Sequence, residues 1–310
     1  MKILVTGGAG FIASNIADAY IRDGHEVVVV DNLFSGREKN LSKKAKFHKL
    51  DVCSPGLEGL FEKYRFDLVN HHAAHLDVRR SVENPIFDAQ MNIVGSLNLL
   101  ENSVKYAVKK FIFASSGGVM YGETGNRPNP DESRPALPVS PYGVSKLAVE
   151  NYLRYYSAVR GLKSTILRYG NVYGPRQDPH GEAGVVAIFS KAMLEKEKVK
   201  IFGNGNQERD FVFVGDIVTA NVLALEKGDG HTLNLGTGKT ASVNELFRIM
   251  KSITHYYNEP VYEIKRTGEL ERSSLNVENA KQVLGWEAKM QLASGLAKTV
   301  NYFMGEEIET

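Results

Sequence analysis

The chain has 310 residues, 43% of them hydrophobic, enough to bury a sizeable core in one large domain or two. A formal charge of +2 with no basic block argues against a nucleic-acid-binding arm, and pairs such as Lys43-Lys44 and Lys109-Lys110 read as solvated faces. The single cysteine, Cys53, excludes an internal disulfide, no apolar run reaches membrane-spanning length, and the first strand starts at Lys2, so the expected location is the cytoplasm.

An apolar strand, Lys2-Ile3-Leu4-Val5-Thr6, leads into the turn Gly7-Gly8-Ala9-Gly10. A helix follows, with Ile12, Ile16, Ala19 and Tyr20 at helical spacing and a stop at Asp23-Gly24. Gly8-x-Gly10-x-x-Ala13 fits the G-x-G-x-x-G/A form, and Gly7-x-x-Gly10-x-x-Ala13 fits a related spacing. Such a turn brings backbone N–H groups and the positive end of a helix close to a pyrophosphate. Val27 to Val30 read as a buried parallel strand ending at Asp31, whose carboxylate suits ribose hydroxyls and repels a 2′-phosphate. Strand, turn, helix, strand and acid in register point to NAD rather than NADP.

Further strands are predicted over 46–50 and 66–69, a helix over 91–108 and a strand over 111–115; this alternation builds a parallel sheet with helices on both faces. Pro128, Pro130, Pro135, Pro138 and Pro141 make 126–141 a loop, followed by a helix over 142–158 and a strand over 164–169. Beyond Asn171, loops such as Gly174-Pro175 and Gly203-Asn204-Gly205 suggest a smaller, less regular lobe, with the chain crossing back at 232–235.

Tyr142-Gly-Val-Ser-Lys146 sets a phenol and an ammonium four residues apart on one helical face, just after Ser140-Pro141. Tyr106 and Lys110 repeat the spacing, but at a helix end running into a strand, where packing explains them. A free phenol titrates near about 10, and an adjacent Lys⁺ with a positive nicotinamide is expected to lower it into the range of a general base. Ser115-Ser116 ends a strand at the carboxyl edge of the sheet, where α/β sheets bind ligands. Alone it reads as a turn; with Tyr142 and Lys146 it completes a candidate triad for proton removal coupled to hydride transfer. His71, His72 and His75 lack metal-ligand spacing and read as packing residues, although His75, Asp77 and Arg79 have the chemistry to reshape sugar recognition.

Thr6 through Ala13, Asp31-Asn32-Leu33-Phe34-Ser35-Gly36, Ser115-Ser116 with Tyr121-Gly122, Ser140 through Lys146 and Arg209-Asp210-Phe211 together resemble the extended short-chain dehydrogenase/reductases. Within these the chain is most similar to the UDP-glucose (UDP-galactose) 4-epimerases, from Met1 to Leu284-Gly285-Trp286. The resemblance implies an α/β fold: a Rossmann doubly wound parallel sheet over 1–170, rejoined by 212–242, with a smaller α/β nucleotide-sugar-binding lobe from 171–211 and 243–310. It implies an isomerase that inverts C4 of a UDP-hexose through a transient 4-keto sugar with bound NAD, and a homodimer formed through the helices at 91–108 and 142–158. No metal is implied, and no nucleic-acid or membrane partner.

Carried over residue by residue, the resemblance puts Gly7, Gly10, Phe11 and Ile12 on the pyrophosphate, Asp31, Asn32, Ser35 and Gly36 on the adenosine ribose, and Asp51 and Val52 on adenine. Ala73, Ala74, His75, Ala114 and Tyr169 line the cofactor, and Asn92 belongs to the same site as support for its backbone. Tyr142 is the base, Lys146 holds the nicotinamide ribose, and Ser116 takes the family's Ser/Thr place, with Ser115 as the alternative because 115–121 is one residue longer than in many relatives. Asn171, Val185 and Phe202 fall on the sugar nucleotide, Arg209 and Arg266 on the diphosphate, where guanidinium forks match phosphate oxygens, and Glu269 on the uridine ribose. Ser273 is small where relatives carry either a bulky aromatic or a small residue, leaving room for an N-acetylated sugar. Ala13 stands for the third glycine, and Gly215 sits where an acid is common.

The alternatives on this fold are an epimerase of another nucleotide sugar, a UDP-glucuronate decarboxylase and a nucleotide-sugar 4,6-dehydratase. Gly117-Gly118 stands where dehydratases carry an acid/base pair and weighs against the last. A non-catalytic NAD-binding regulator predicts loss of the Tyr/Lys pair, and both residues are present.

Overall fold

Apolar runs without polar alternation need cover on both faces, and a parallel sheet sandwiched between helices supplies it. In the computed structural model, which describes residues 1–124, 129–180, 184–266 and 269–305, these runs become β1 (Lys2–Thr6), β2 (Glu26–Asp31), β3 (Lys46–Lys49), β4 (Leu68–His71), β5 (Lys110–Ser116) and β6 (Lys163–Tyr169). Between them lie α1 (Phe11–Arg22), α2 (Leu57–Tyr64), α3 (Val78–Glu83), α4 (Pro85–Ala89), a π-helical turn at Gln90–Val94, α5 (Gly95–Lys105), α6 (Gly117–Met120) and α7 (Pro141–Arg160). β7 (Asn171–Tyr173), α8 (Val185–Leu194), β8 (Lys200–Phe202), β9 (Glu208–Arg209) and β10 (Phe211–Phe213) leave the sheet, and α9 (Val214–Leu223) and β11 (Thr232–Leu235) return to it. β12 (Ala241–Ser242), α10 (Val243–Ile253), β13 (Val261–Glu263), β14 (Arg272–Ser273), α11 (Glu278–Leu284) and α12 (Leu292–Phe303) follow.

The seven-stranded sheet runs β11-β6-β5-β4-β1-β2-β3, parallel throughout. Strand order reverses at β1, so a crevice opens beyond the carboxyl ends of β1 and β4. Thr6 lies opposite both Val30 and His71, which brings Gly7, Asp31 and His72 out side by side at that edge. Ile3 and Val5 face one core with Ile16, Tyr20, Ile217 and Trp286; Leu4, Val28 and Val30 face the other with Phe61, Leu99 and Leu153, as the two-residue side-chain period requires. A third cluster around Phe189, Ile201, Leu246 and Phe247 holds the residues beyond the sheet together. Ala280, Leu284 and Trp286 pack with the sheet, although they lie within 243–310.

Several elements differ from their predicted bounds. The strand expected at 66–69 runs Leu68–His71, because Phe66 is apolar for another reason: its ring packs edge-on against Phe61 at 5.2 Å before the strand begins. Helical structure expected at 91–108 starts at Pro85, capped by Asn84, whose side chain accepts from the Phe87 N–H at 3.1 Å, and Val108 enters the core from the turn after α5. α8, α10, α11 and α12 make the part beyond Asn171 more regular than expected, and α3 falls where no element was predicted. In the proline loop, 129–140 contains no helix or strand, Pro141 opens α7, and 126–128 with Pro128 lie outside the described residues.

Candidate active site

The glycine turn is shaped by close approach. Gly7 has φ +69°, donates its N–H to Val30 O at 2.8 Å, and a Cβ there would sit 2.8 Å from Ala73 N. Gly10 is the N-cap of α1 and has no side chain to satisfy the first helical N–H groups, which leaves them for an anion. At the end of β2 the Asp31 carboxylate accepts from the N–H groups of Ala9 (3.0 Å) and Leu33 (2.7 Å), and the turn to Gly36 folds so tightly over it that a Cβ on Gly36 would lie 2.9 Å from both oxygens. Asn32 Nδ2 donates to Asp51 Oδ2 at 2.8 Å, joining the ribose and adenine ends of the predicted set.

All of these residues open on one cleft of about 460 Å³. It is lined by Gly7, Gly10, Phe11, Ile12, Asp31, Asn32, Ser35 and Gly36, by Asp51, Val52, Ala73, Ala74 and His75, and by Ala114, Tyr142, Lys146 and Tyr169. A glycine cradle that any Cβ would fill, an uncapped helix start and an acid at the ribose end fit NAD. Asn92 is the exception. It lies behind the wall, buried in the π-helical turn, donating from Nδ2 to His75 O (2.9 Å) and Asp88 Oδ1 (2.8 Å) and accepting at Oδ1 from the His75 N–H (2.8 Å). Its amide orders the His75 segment and does not face the cleft.

α7 starts where it does because Ser140 accepts from the Gly143 N–H at 3.2 Å and Pro141 occupies the first turn. One turn in, Tyr142 and Lys146 reach the cleft together. Lys146 Nζ donates to Ala114 O at 2.8 Å and lies 5.7 Å from the Tyr142 ring centre. Burial pulls the ammonium down to about 8, opposed by the Asp88 and Glu150 carboxylates. The phenol is pushed up, first by burial and then by Asp88, whereas the expected lowering invoked a positive nicotinamide as well as Lys146. The reason is physical: the surrounding protein strips water from the phenolate, and Lys146 aims its N–H at a carbonyl instead.

The two serines separate cleanly. Ser115 Oγ is buried and donates to Glu150 Oε1 at 2.6 Å. Glu150 in turn accepts from Arg168 Nε (2.9 Å) and Nη2 (2.6 Å), with both side chains almost wholly buried at 0% and 2% exposure. Arg168 Nη1 donates to Tyr121 Oη, whose hydroxyl donates to Asn234 Oδ1. Ser116 is half-buried at the end of β5, where α6 begins. Glu150 was missed in the sequence, although it follows Tyr142 and Lys146 at the same spacing of four.

His71 is a packing residue, as expected, bonded to Thr6 Oγ1 (2.7 Å) and Ser96 Oγ (2.9 Å) and held neutral by burial. His72, read from the sequence as a packing residue, lines the cleft and meets Tyr169 Oη at 3.0 Å; burial, then the nearby Lys146, lowers it to about 3. Asp77 is not turned to a ligand: it caps α3 by accepting from the Arg80 N–H. Phe34, Arg80 and Phe87 form an unforeseen stack on the cleft wall, with the guanidinium 5.1 Å and 5.0 Å from the two ring centres.

Several of the predicted sugar-nucleotide residues meet one another outside the seven-stranded sheet. β14 pairs with β9 so that Ser273 lies opposite Arg209, and Ser273 Oγ donates to Gly118 O at 3.4 Å. Arg209 sits 3.7 Å from Glu269, whose second carboxylate oxygen is buried without a hydrogen-bond partner among the described residues. The Arg266 guanidinium stacks 3.7 Å from the Phe202 ring centre. Asn171 starts β7 beside Gly118, and Val185 opens α8 against the third cluster. A Cβ on Gly117 would strike Leu275 at 2.7 Å, so this wall has no room for a side chain at that position.

Residues 3–236 match the NAD dependent epimerase/dehydratase family. The chain is similar to the UDP-glucose 4-epimerase of Mycolicibacterium smegmatis, 44% identical over 309 residues, 98% of each chain. Among solved structures it is similar to the UDP-glucose 4-epimerase of Thermotoga maritima with UDP-glucose, 50% identical at a TM-score of 0.97, covering 98% of this chain and 99% of that one. It is also similar to the UDP-glucose 4-epimerase of Thermus thermophilus in complex with NAD, 42% identical at a TM-score of 0.94, with coverage of 98% and 99%.

Proposed function

This chain belongs to the NAD dependent epimerase/dehydratase family, and on that premise we propose that it is an isomerase that keeps NAD bound and inverts C4 of a UDP-hexose, the UDP-glucose/UDP-galactose pair first. The observation that supports this reading is that Tyr142 and Lys146 line the same cleft as the Gly7 turn and Asp31.

NAD, when bound, supplies the acceptor and donor of hydride and a positive ring beside the phenol. The chain's own residues do the rest. Gly7, Gly10 and the start of α1 bind the pyrophosphate, and Asp31 orients the adenosine ribose while repelling a 2′-phosphate. Tyr142 Oη, as the phenolate, takes the proton of the C4 hydroxyl and later returns it; because burial disfavours this phenolate, it forms readily only when positive charge is brought next to it. Lys146 orients the nicotinamide ribose. Ser115 is committed to Glu150, which supports Ser116 as the hydroxyl that hydrogen-bonds the sugar oxygen. Arg209 and Arg266 hold the diphosphate, Phe202, Val185 and Asn171 the nucleotide, and the unpartnered Glu269 oxygen accepts from a ribose hydroxyl. With binding concentrated on the nucleotide, the sugar is free to present either face.

A homodimer belongs to the same proposal. Val144, Tyr152, Tyr155 and Val159 on α7 expose apolar side chains beside Val82, Ile86 and Val94 of the neighbouring helices, a surface suited to a second copy. So do a sheet domain over 1–170 with 212–242, a nucleotide-sugar lobe from the remainder, and a cytoplasmic location that suits the lone thiol Cys53, which burial pushes up to about 11.

The test is incubation of the purified protein with UDP-glucose, UDP-GlcNAc or UDP-glucuronate without added NAD, with the products resolved. Formation of the 4-epimer without net NADH supports the reading, and the preferred arm identifies the sugar. Net oxidation or release of CO₂ contradicts it.

A further inference from the structure

Asp88 on α4 is a carboxylate with 0% exposure, one turn from the cleft wall and used by none of the steps above. Its oxygens accept from two neutral donors, Ser145 Oγ at 2.6 Å and Asn92 Nδ2 at 2.8 Å. Ser145 stands between Tyr142 and Lys146 on α7, and Asn92 grips the His75 backbone that lines the cleft. One buried carboxylate therefore joins the helix carrying the proton-transfer pair to the wall that receives the cofactor. Burying a carboxylate is expensive without a compensating charge. Of the two carboxylates that act on Lys146, Glu150 is already matched by a two-point ion pair with Arg168. Asp88 has no ion pair within 4 Å among the described residues; it is bonded to Ser145, the residue next to Lys146, and its charge acts on Lys146.

Resting on the epimerase reading, we propose that Asp88 is a positioning residue for the Tyr142–Lys146 pair: its carboxylate is the counter-charge of Lys146, and through Ser145 and Asn92 it locks α7 to the cofactor wall. The charged and titratable groups around the pair are few. Lys146 faces Asp88 from α4, Glu150 from its own helix, and His71 and His72 from the end of β4, both imidazoles held neutral by burial. Tyr142 faces Asp88. Asp88 also acts on His75, where burial and Arg80 prevail and favour the neutral ring. The negative charge of Asp88 raises both the phenol and the ammonium, so removing it lowers both.

The test is the pH profile of kcat/KM for the wild type, Asp88→Asn and Ser145→Ala, each with its bound NAD. Asp88→Asn keeps the shape and is expected to move both limbs to lower pH, on the order of one unit for loss of a buried charge this near. Ser145→Ala removes the tether but leaves the charge, so kcat falls while the limbs stay in place and KM for the UDP-sugar holds. If Asp88→Asn does not fold, Asp88→Thr, which is neutral and able to bond Ser145, must shift the profile the same way. A neutral variant whose profile superimposes on the wild type after scaling would reduce Asp88 to packing and overturn the proposal. A wild type that epimerises no UDP-sugar at any pH would instead remove the functional reading beneath it.

Discussion

Replacing Lys146 by methionine should stabilise the cofactor-free fold while abolishing its chemistry. The ammonium falls from 10.5 in the open chain to about 8 in the fold, chiefly through burial. At about 1.36 kcal/mol per pKa unit, holding this charge inside destabilises the protein by about 3 kcal/mol wherever both states are protonated. Methionine removes the charge and keeps the stem volume, and the loss of the bond to Ala114 O takes back about 1 kcal/mol. The value of about 8 already contains the opposing attraction of Asp88 and Glu150, so losing that attraction is counted and a net gain of about 2 kcal/mol is expected. The sign follows from the protons bound: between about pH 8 and 10.5 the unfolded chain holds the lysine proton and the folded one does not, so wild-type stability rises with pH through that window. The advantage of Lys146→Met is thus full below about pH 8 and shrinks towards pH 10.5. Urea unfolding of both proteins, stripped of NAD, at pH 7 and pH 10.5 measures it. A variant less stable than wild type at pH 7, or a difference unchanged between the two pH values, would refute the burial argument.

Three other outcomes follow from the same geometry. Gly7→Ala forces a side chain into φ +69° and places its Cβ 2.8 Å from Ala73 N, so the purified protein should carry far less NAD while keeping its helical content; full occupancy would contradict the close approach. Glu150→Gln leaves the Arg168 guanidinium buried without its counter-charge and is expected to lose about 3–5 kcal/mol in urea unfolding, against near-zero change if the pair is incidental. Asp31→Asn removes the charge that repels a 2′-phosphate, so the ratio of NADP to NAD affinity, read by titration calorimetry, should rise; an unchanged ratio places the discrimination elsewhere.

Local patterns carried the front of the molecule. The valine run, the glycine turn and the acid at Asp31 each state their structure within a few residues, and Val30, Gly7, Gly10 and Asp31 line one cleft. Features fixed by distant partners were not legible. Ser115 and Ser116 look alike in sequence, and Glu150, 35 residues away, is what turns one hydroxyl inward. The upward push on Tyr142 was not legible, because burial is a property of the whole wall. Asn92 was read as support for the site's backbone, and its amide does bond the His75 backbone, but its partner Asp88 was not legible. The helices of the second lobe divide. α8 is Val-Val-Ala-Ile-Phe-Ser-Lys-Ala-Met-Leu with no side-chain cap, leaving little amphipathic pattern to read. α10 did announce itself through Ser242, which accepts from the Glu245 N–H in the Ser-x-x-Glu pattern of a capping box.

Tyr142→Phe, assayed for bound NAD and for turnover of the preferred UDP-sugar in the same preparation, tests the proposed chemistry most directly. NAD retained at the wild-type level with turnover reduced by at least about 100-fold is the result expected for loss of the proton-transferring phenol. Turnover close to wild type would contradict it.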